Sequence, residues 1–298
     1  MFRDFEELKS SFPSDECKTI VVAAAHDKHT LEAVYEACGA FPMKYILVGE
    51  KAKIIEISDE LGEKPLPDAI VDVADSAEIA GKSVDLIRNG LGNVLMKGLI
   101  ETGTLLKAVL HKENGIRGTG TMSHLAMLQV PKYQKLIAIT DGGMIPHPTL
   151  EQKADILKNA VGFLQKLGIN EPKAAALAAI ESVSEKMPET LDAAELQVRS
   201  LRGEFGKCIV EGPLSFDIAA SRESANIKRH PSKISGDADI FLTPTMAAGN
   251  ILSKGLLYWG GAKMAGCVLG AKVPIVLVSR GATSEEKLLS IMLCIKAG

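Results

Sequence analysis

Short apolar runs closed by glycine alternate along this chain with longer amphipathic stretches, the pattern of strands and crossover helices built along a mostly parallel sheet. Residues 19–25 predict a first strand, residues 30–38 a helix ended by Gly39, and residues 45–48 a second strand closed by Gly49, so the chain opens with a β-α-β unit. Further strands are predicted at 93–96, 136–140, 208–210, 240–243 and 274–279, each running into loop chemistry. A helix is predicted over 150–167, stopped at Gly168. Residues 173–181 are alanine-rich and helical by propensity, yet the segment is short and lies between Pro172 and the polar Ser182-Val183-Ser184, which suits a buried strand. Strand is the expectation there, and the chain is expected to be α/β throughout.

Length and charge narrow the class. With 298 residues, 46% of them hydrophobic, the chain can build one large α/β domain or two smaller ones, and two are expected. A net charge of -3 with scattered basic residues offers no field for nucleic acid. No apolar N-terminal segment follows a basic start, and the apolar stretch near the C-terminus is broken by Lys272 and Pro274, so a soluble, cytoplasmic protein without a membrane segment is expected. Five cysteines, an odd number without C-x-x-C spacing and mostly beside apolar residues, read as reduced core thiols. His26 and His29 could share a helix face around a metal, but with Asp27 and Lys28 they sit as easily in a solvated helix start, and no metal is expected.

Candidate chemistry concentrates near the C-terminus, where an apolar run delivers Ser279-Arg280 into Gly281, followed by Glu285-Glu286. A buried strand ending in a hydroxyl, a guanidinium and nearby carboxylates brings the parts of anionic acyl chemistry to one sheet edge, which favours a small-molecule enzyme. Elsewhere two readings stand side by side. Gly118-Thr119-Gly120-Thr121 either cradles phosphate with backbone N–H groups or is a plain loop. Asp141 with Gly142-Gly143 lines a cleft or shapes a tight turn. Asn250, after Ala248-Gly249, is expected to open a helix and cap it beside an anion. Ser123 and His124 touch substrate, or the histidine is a hydrogen-bonded core residue.

Taken in order, Met96-Lys97-Gly98, Ser123-His124-Leu125, Thr140-Asp141-Gly142-Gly143-Met144, Glu211-Gly212-Pro213-Leu214-Ser215-Phe216-Asp217, Gly236-Asp237-Ala238-Asp239-Ile240, Ala248-Gly249-Asn250-Ile251 and Ser279-Arg280-Gly281 resemble the successive signatures of the phosphate acetyltransferase and phosphate butyryltransferase family. The lysine-glycine and serine-histidine pairs favour the butyryl branch. The resemblance implies two α/β/α domains facing a cleft, a fold shared with the isocitrate and isopropylmalate dehydrogenases. Residues 1–130 with 270–298 would form domain one and residues 131–269 domain two.

The activity this implies is reversible: a short-chain or branched acyl-CoA, butyryl-CoA or similar, and phosphate give acyl phosphate and CoA by direct attack in a ternary complex. CoA and phosphate are substrates, and no cofactor is implied. Arg280, a planar fork charged at any working pH, is the phosphate partner, and Ser279 donates to phosphate or to the oxyanion at the carbonyl. Glu286 takes the thiol proton, with Glu285 a rival, where acetyl-type members carry an aspartate. Lys97, Thr121, Ser123, His124, Asp141 and Asn250 are the substrate-binding candidates. Acetyl-type members also carry an arginine where this chain reads Thr104-Leu105-Leu106-Lys107, leaving Lys97, Lys107 or Arg117 to supply the charge beside apolar side chains suited to a longer acyl group. Three alternatives stand: an acetyl-preferring enzyme, a metal- and NAD-dependent hydroxyacid dehydrogenase of the same fold, and a non-catalytic acyl-CoA sensor. A homodimer or higher homo-oligomer is expected, with the apolar helix at 288–294 as its warrant.

Overall fold

The structure is a computed structural model that describes residues 1–12, 17–279 and 281–298. In chain order its elements are α1 (Phe5–Ser10), β1 (Lys18–Ala23), α2 (Lys28–Ala40), β2 (Met43–Gly49), α3 (Lys51–Glu60), β3 (Ile70–Asp72), α4 (Ser76–Arg88), β4 (Val94–Lys97), α5 (Thr102–Val109), β5 (Ser123–Gln129), β6 (Ile137–Thr140) and α6 (Leu150–Lys166). There follow β7 (Lys173–Leu177), α7 (Pro188–Leu201), β8 (Ile209–Leu214), α8 (Phe216–Ala220), α9 (Arg222–Ile227), β9 (Ile240–Leu242), α10 (Met246–Tyr258), β10 (Lys263–Leu269), β11 (Ile275–Val276) and α11 (Ser284–Ala297).

The chain divides into two compact units. A flanking unit comprises Lys9–Thr119 with Ala265–Gly298, and a middle unit comprises Gly120–Met264 with Met1–Leu8. In the flanking unit the strand order is β3-β2-β1-β4-β11-β10, parallel except for the antiparallel β10–β11 pair. In the middle unit the order is β5-β6-β9-β7-β8, parallel except for β5–β6. Both orders reverse direction part-way along the sheet, the topology that opens a crevice beyond the carboxyl ends of the strands. The central strands are buried on both faces: Ile20, Val21, Val22 and Ala23 of β1 and Leu95 and Met96 of β4 are fully excluded from water, which is why they read as continuous apolar runs.

Helix starts follow the short polar side chains. Asp27 caps α2 by accepting from the Thr30 amide, Asp75 caps α4 through Ala77 and Glu78, and reciprocal capping boxes start α6 (Thr149 with Gln152) and α11 (Thr283 with Glu286). Past α6, Gly168 takes φ +94°, the left-handed conformation that a helix stop favours. Residues 173–181 do form a strand, but it ends at Leu177. Its alanines pack between β8 and β9, so tertiary pairing outweighs their helix propensity.

Several local expectations are corrected. The C-terminal strand predicted at 274–279 is only Ile275–Val276, because β10 beside it pairs at two positions alone and the chain then leaves the sheet. The helix expected at 30–38 is α2, which runs through Gly39 to Ala40. Asn250 does not open a helix: α10 starts four residues earlier, and Thr245 caps it by accepting from the Ala248 amide. The apolar residues of α11, among them Leu289, Ile291, Met292 and Leu293, are buried inside the flanking unit and so form no exposed apolar face.

Candidate active site

Within the flanking unit, a cavity of about 370 Å³ lies where β1, β4 and β11 run out, lined among others by Asp27, Thr30, Lys97, Gly98, Ser279 and Lys287. The chain beyond β4 is fastened to the end of β1, with the Gly98 amide on the Ala23 carbonyl at 2.8 Å and the Leu99 amide on the Ala24 carbonyl at 2.9 Å. A Cβ at Gly98 would fall against those same carbonyls, so only glycine lets the two loops close. Lys97 ends β4 and bonds the Gly98 carbonyl at 3.2 Å. Opposite, Asp27 Oδ2 accepts from the Thr30 amide at 2.9 Å and from the Thr30 hydroxyl, and stands 3.6 Å from Lys287 Nζ. Burial pushes the Asp27 carboxyl up, but the Thr30 hydroxyl and amide and the Lys287 ammonium outweigh it and hold the group below its ordinary value.

Of the three predicted catalytic residues, Ser279 lines this cavity. Arg280 lies outside the described residues. Glu286 is occupied in the α11 capping box, where its Oε2 accepts from the Thr283 amide at 2.8 Å and its own amide donates to Thr283 Oγ1 at 3.2 Å. The cap of α11 is therefore Thr283. Lys97 joins Ser279 in the cavity, whereas Lys107 lies in the last turn of α5 and Arg117 forms an isolated antiparallel bridge with Ala271.

The other five candidates sit in the middle unit, four of them around the ends of β5 and β6. Asp141 follows β6 and is 1% exposed. Its Oδ1 accepts from the amides of His124, Gly143 and Met144 at 3.1, 2.8 and 3.0 Å, and its Oδ2 from Ile145 at 2.8 Å. Both oxygens are thus spent on shaping the glycine turn. Asn250 Nδ2 donates to the Gly142 carbonyl at 3.0 Å, tying α10 to that turn, and Gly249 packs so closely that a Cβ would fall against the Asp141 carbonyl and 2.7 Å from Thr243 Oγ1. His124 Nδ1 is buried and has no hydrogen-bond partner among the described residues. Burial lowers its imidazole below the ordinary 6.5 while Asp141 pulls the other way, so the ring is neutral near pH 7.

Ser123 and Thr121 are held by α6. Ser123 Oγ accepts from Asn159 Nδ2 at 3.0 Å and is fully buried, and Thr121 donates through both amide and hydroxyl to Asp155 Oδ2 at 2.9 and 3.0 Å. With the Gly118 amide on the Gly270 carbonyl at 2.9 Å, this segment has spent the N–H groups a phosphate cradle needs at Gly118 and Thr121. The sequence reading missed Lys287 and the role of Asp27. A signal existed for both: Asp27 stands three residues before Thr30, the spacing of an N-cap, and Lys287 lies one helical turn beyond Thr283.

Among the described residues no group of three or more His, Cys, Asp or Glu is placed to hold a metal ion, and no helix is long and apolar enough to cross a membrane.

An α/β pair of units with this crevice topology accommodates many chemistries, and comparison with known proteins decides among them. Residues 73–295 match the family described as Phosphate acetyl/butaryl transferase, and the chain belongs to that family of acyltransferases. It is 39% identical over 293 residues to the phosphate butyryltransferase of Clostridium acetobutylicum, covering 98% of this chain and 97% of that one. It is also 39% identical over 277 residues to the phosphate acetyltransferase of Thermotoga maritima, covering 93% and 94%. Among solved structures, a branched-chain phosphotransacylase from Enterococcus faecalis V583 superimposes with a TM-score of 0.82 at 33% identity, covering 94% of this chain and 98% of that one.

Proposed function

We propose that this chain transfers a short acyl group reversibly between coenzyme A and phosphate, with butyryl-CoA or a branched analogue as the preferred thioester. The observation that carries the reading is the family match over residues 73–295, a span that contains Lys97 and Ser279, both on one cavity. The reaction needs phosphate and thioester aligned, negative charge offset, and a proton moved to or from the CoA sulfur. Ser279 is suited to donate to a phosphate oxygen or to the oxyanion that forms at the thioester carbonyl. Arg280 is suited by its fork to hold two phosphate oxygens, and Lys97 to offset charge beside them. Glu286 is the candidate base, acting through Oε1 while Oε2 keeps the cap. His124, neutral, is suited to donate a hydrogen bond to substrate without adding charge. No resident metal or cofactor enters this scheme; coenzyme A and phosphate are substrates.

The acetyl-preferring reading keeps equal standing on identity, since the relatives of either name match at 39%. Phosphate-dependent release of free thiol from acetyl-, propionyl-, butyryl- and isobutyryl-CoA tests both. Release that requires phosphate and drops on the order of a hundredfold in Ser279→Ala is expected; no release with any thioester overturns the transacylase, and a higher kcat/KM for acetyl-CoA than for butyryl-CoA overturns the chain preference.

A further inference from the structure

Lysines are seldom buried without a close carboxylate, and three described ones here invite comparison. Lys135, 12% exposed in its side chain, stands 2.7 Å from both Asp237 and Asp239, and Lys153, 7% exposed, stands 2.7 Å from Asp192. Lys287 is as buried, at 12%, yet its ammonium stands 3.6 Å from Asp27, beyond ordinary hydrogen-bond range. The Asp27 oxygen facing Lys287 already accepts from the Thr30 amide and hydroxyl, bonds that anchor the carboxylate at the start of α2. An ammonium carries three donors. This one is held in place by charge at a distance, with donor capacity left over, on a cavity of about 370 Å³ that it shares with Lys97 and the Ser279 hydroxyl. That volume falls within the range of small-molecule sites. Glu101 also lines the cavity but is exposed, where water screens it.

We infer that Lys287 binds phosphoryl oxygens in this cavity, with Asp27 as the positioning residue that holds the ammonium without consuming it. This rests on the proposed transacylase reading, which supplies two sources of such oxygens: inorganic phosphate as acyl acceptor, and the phosphate groups of coenzyme A. Lys287 thereby takes the place of a second phosphate-binding cation, a role for which sequence alone offered Lys97, Lys107 or Arg117.

The test is titration calorimetry of the intact protein with inorganic phosphate and, separately, with coenzyme A, alongside steady-state KM for phosphate and for acyl-CoA. Lys287→Met is compared with Lys287→Arg, and circular dichroism confirms the fold of each. Lys287→Met should weaken one probe on the order of ten- to a hundredfold, and Lys287→Arg should restore most of it. Weakening of phosphate assigns the acceptor; weakening of coenzyme A assigns the thioester carrier. Unchanged affinity for both probes in Lys287→Met overturns the inference, as does a wild type that binds neither. If Lys287→Met does not fold, Lys287→Gln carries the same comparison. Failure of the transacylase reading is separately visible, as wild-type protein that binds phosphate or coenzyme A but releases no thiol.

Discussion

Replacing Asp141 by asparagine should cost stability before it costs chemistry. The carboxylate is 1% exposed and accepts four backbone amides, three on Oδ1 and one on Oδ2. With the amide oxygen at the Oδ1 position the three bonds to His124, Gly143 and Met144 survive without charge assistance, while Nδ2 then faces the Ile145 amide, donor against donor, across 2.8 Å. Losing one charge-assisted bond and leaving a buried N–H unpaired costs about 2–3 kcal/mol. For a unit of this size a urea dependence of about 2 kcal/mol per molar turns that into a midpoint lowered by roughly 1–1.5 M. Asp141→Ala, which orphans all four amides, should cost about 4 kcal/mol or more. The assay is urea unfolding followed by far-UV circular dichroism, paired with thiol release in the absence of denaturant. An Asp141→Asn protein that unfolds at the wild-type midpoint yet has lost turnover would refute this reasoning, and would make Asp141 a residue that meets substrate.

Gly249→Ala should destabilise by about 2 kcal/mol or more, because its Cβ would land on the Asp141 carbonyl and Thr243 Oγ1; a thermal midpoint equal to wild type would contradict that packing. Burial lowers the folded pKa of His124 below its ordinary 6.5, so the unfolded chain takes up the proton first, and stability present above about pH 6.5 drains away as the pH falls. His124→Gln should therefore show a smaller loss of urea midpoint between pH 7.5 and 5.5 than wild type, and an equal loss in both would refute it. Glu286→Gln keeps an oxygen for the Thr283 amide and so should hold the thermal midpoint within a few degrees while turnover drops on the order of a hundredfold; undiminished turnover would move the thiol base elsewhere.

Much of the fold was legible because burial on both faces writes continuous apolar runs, as in β1 and β4, and because caps write short polar residues at fixed offsets. Residues 173–181 were read as strand against their propensity, from length and flanking residues, and the strand is there but ends at Leu177. What the letters could not give was pairing. The predicted strand at 274–279 stops at Val276 because the chain leaves β10 after two paired positions, and Asn250 lies inside α10 because Thr245 had already claimed the cap. Neither fact is local. Nor could spacing reveal that Lys287 meets Asp27, residues brought together only when α11 packs on α2.

Hydrogen-bond capacity sorts the candidate residues more sharply than motif membership does. Asp141, Thr121 and Ser123 belong to the most recognisable segments, yet in each the polar atoms are bonded within the unit that holds them, and a ligand would have to break those bonds at a cost of the order of 1–3 kcal/mol apiece. Ser279 differs: among the described residues its Oγ receives only a long 3.5 Å contact from the Gly281 amide, and it lies on a cavity. His124 retains a ring nitrogen without a partner among the described residues, and Lys287 retains donors that Asp27 does not reach. A motif can therefore be diagnostic of the family because it builds the turn on which a site stands. The groups proposed to meet substrate are those whose bonding the fold leaves incomplete, and they include a lysine that belongs to no recognised motif.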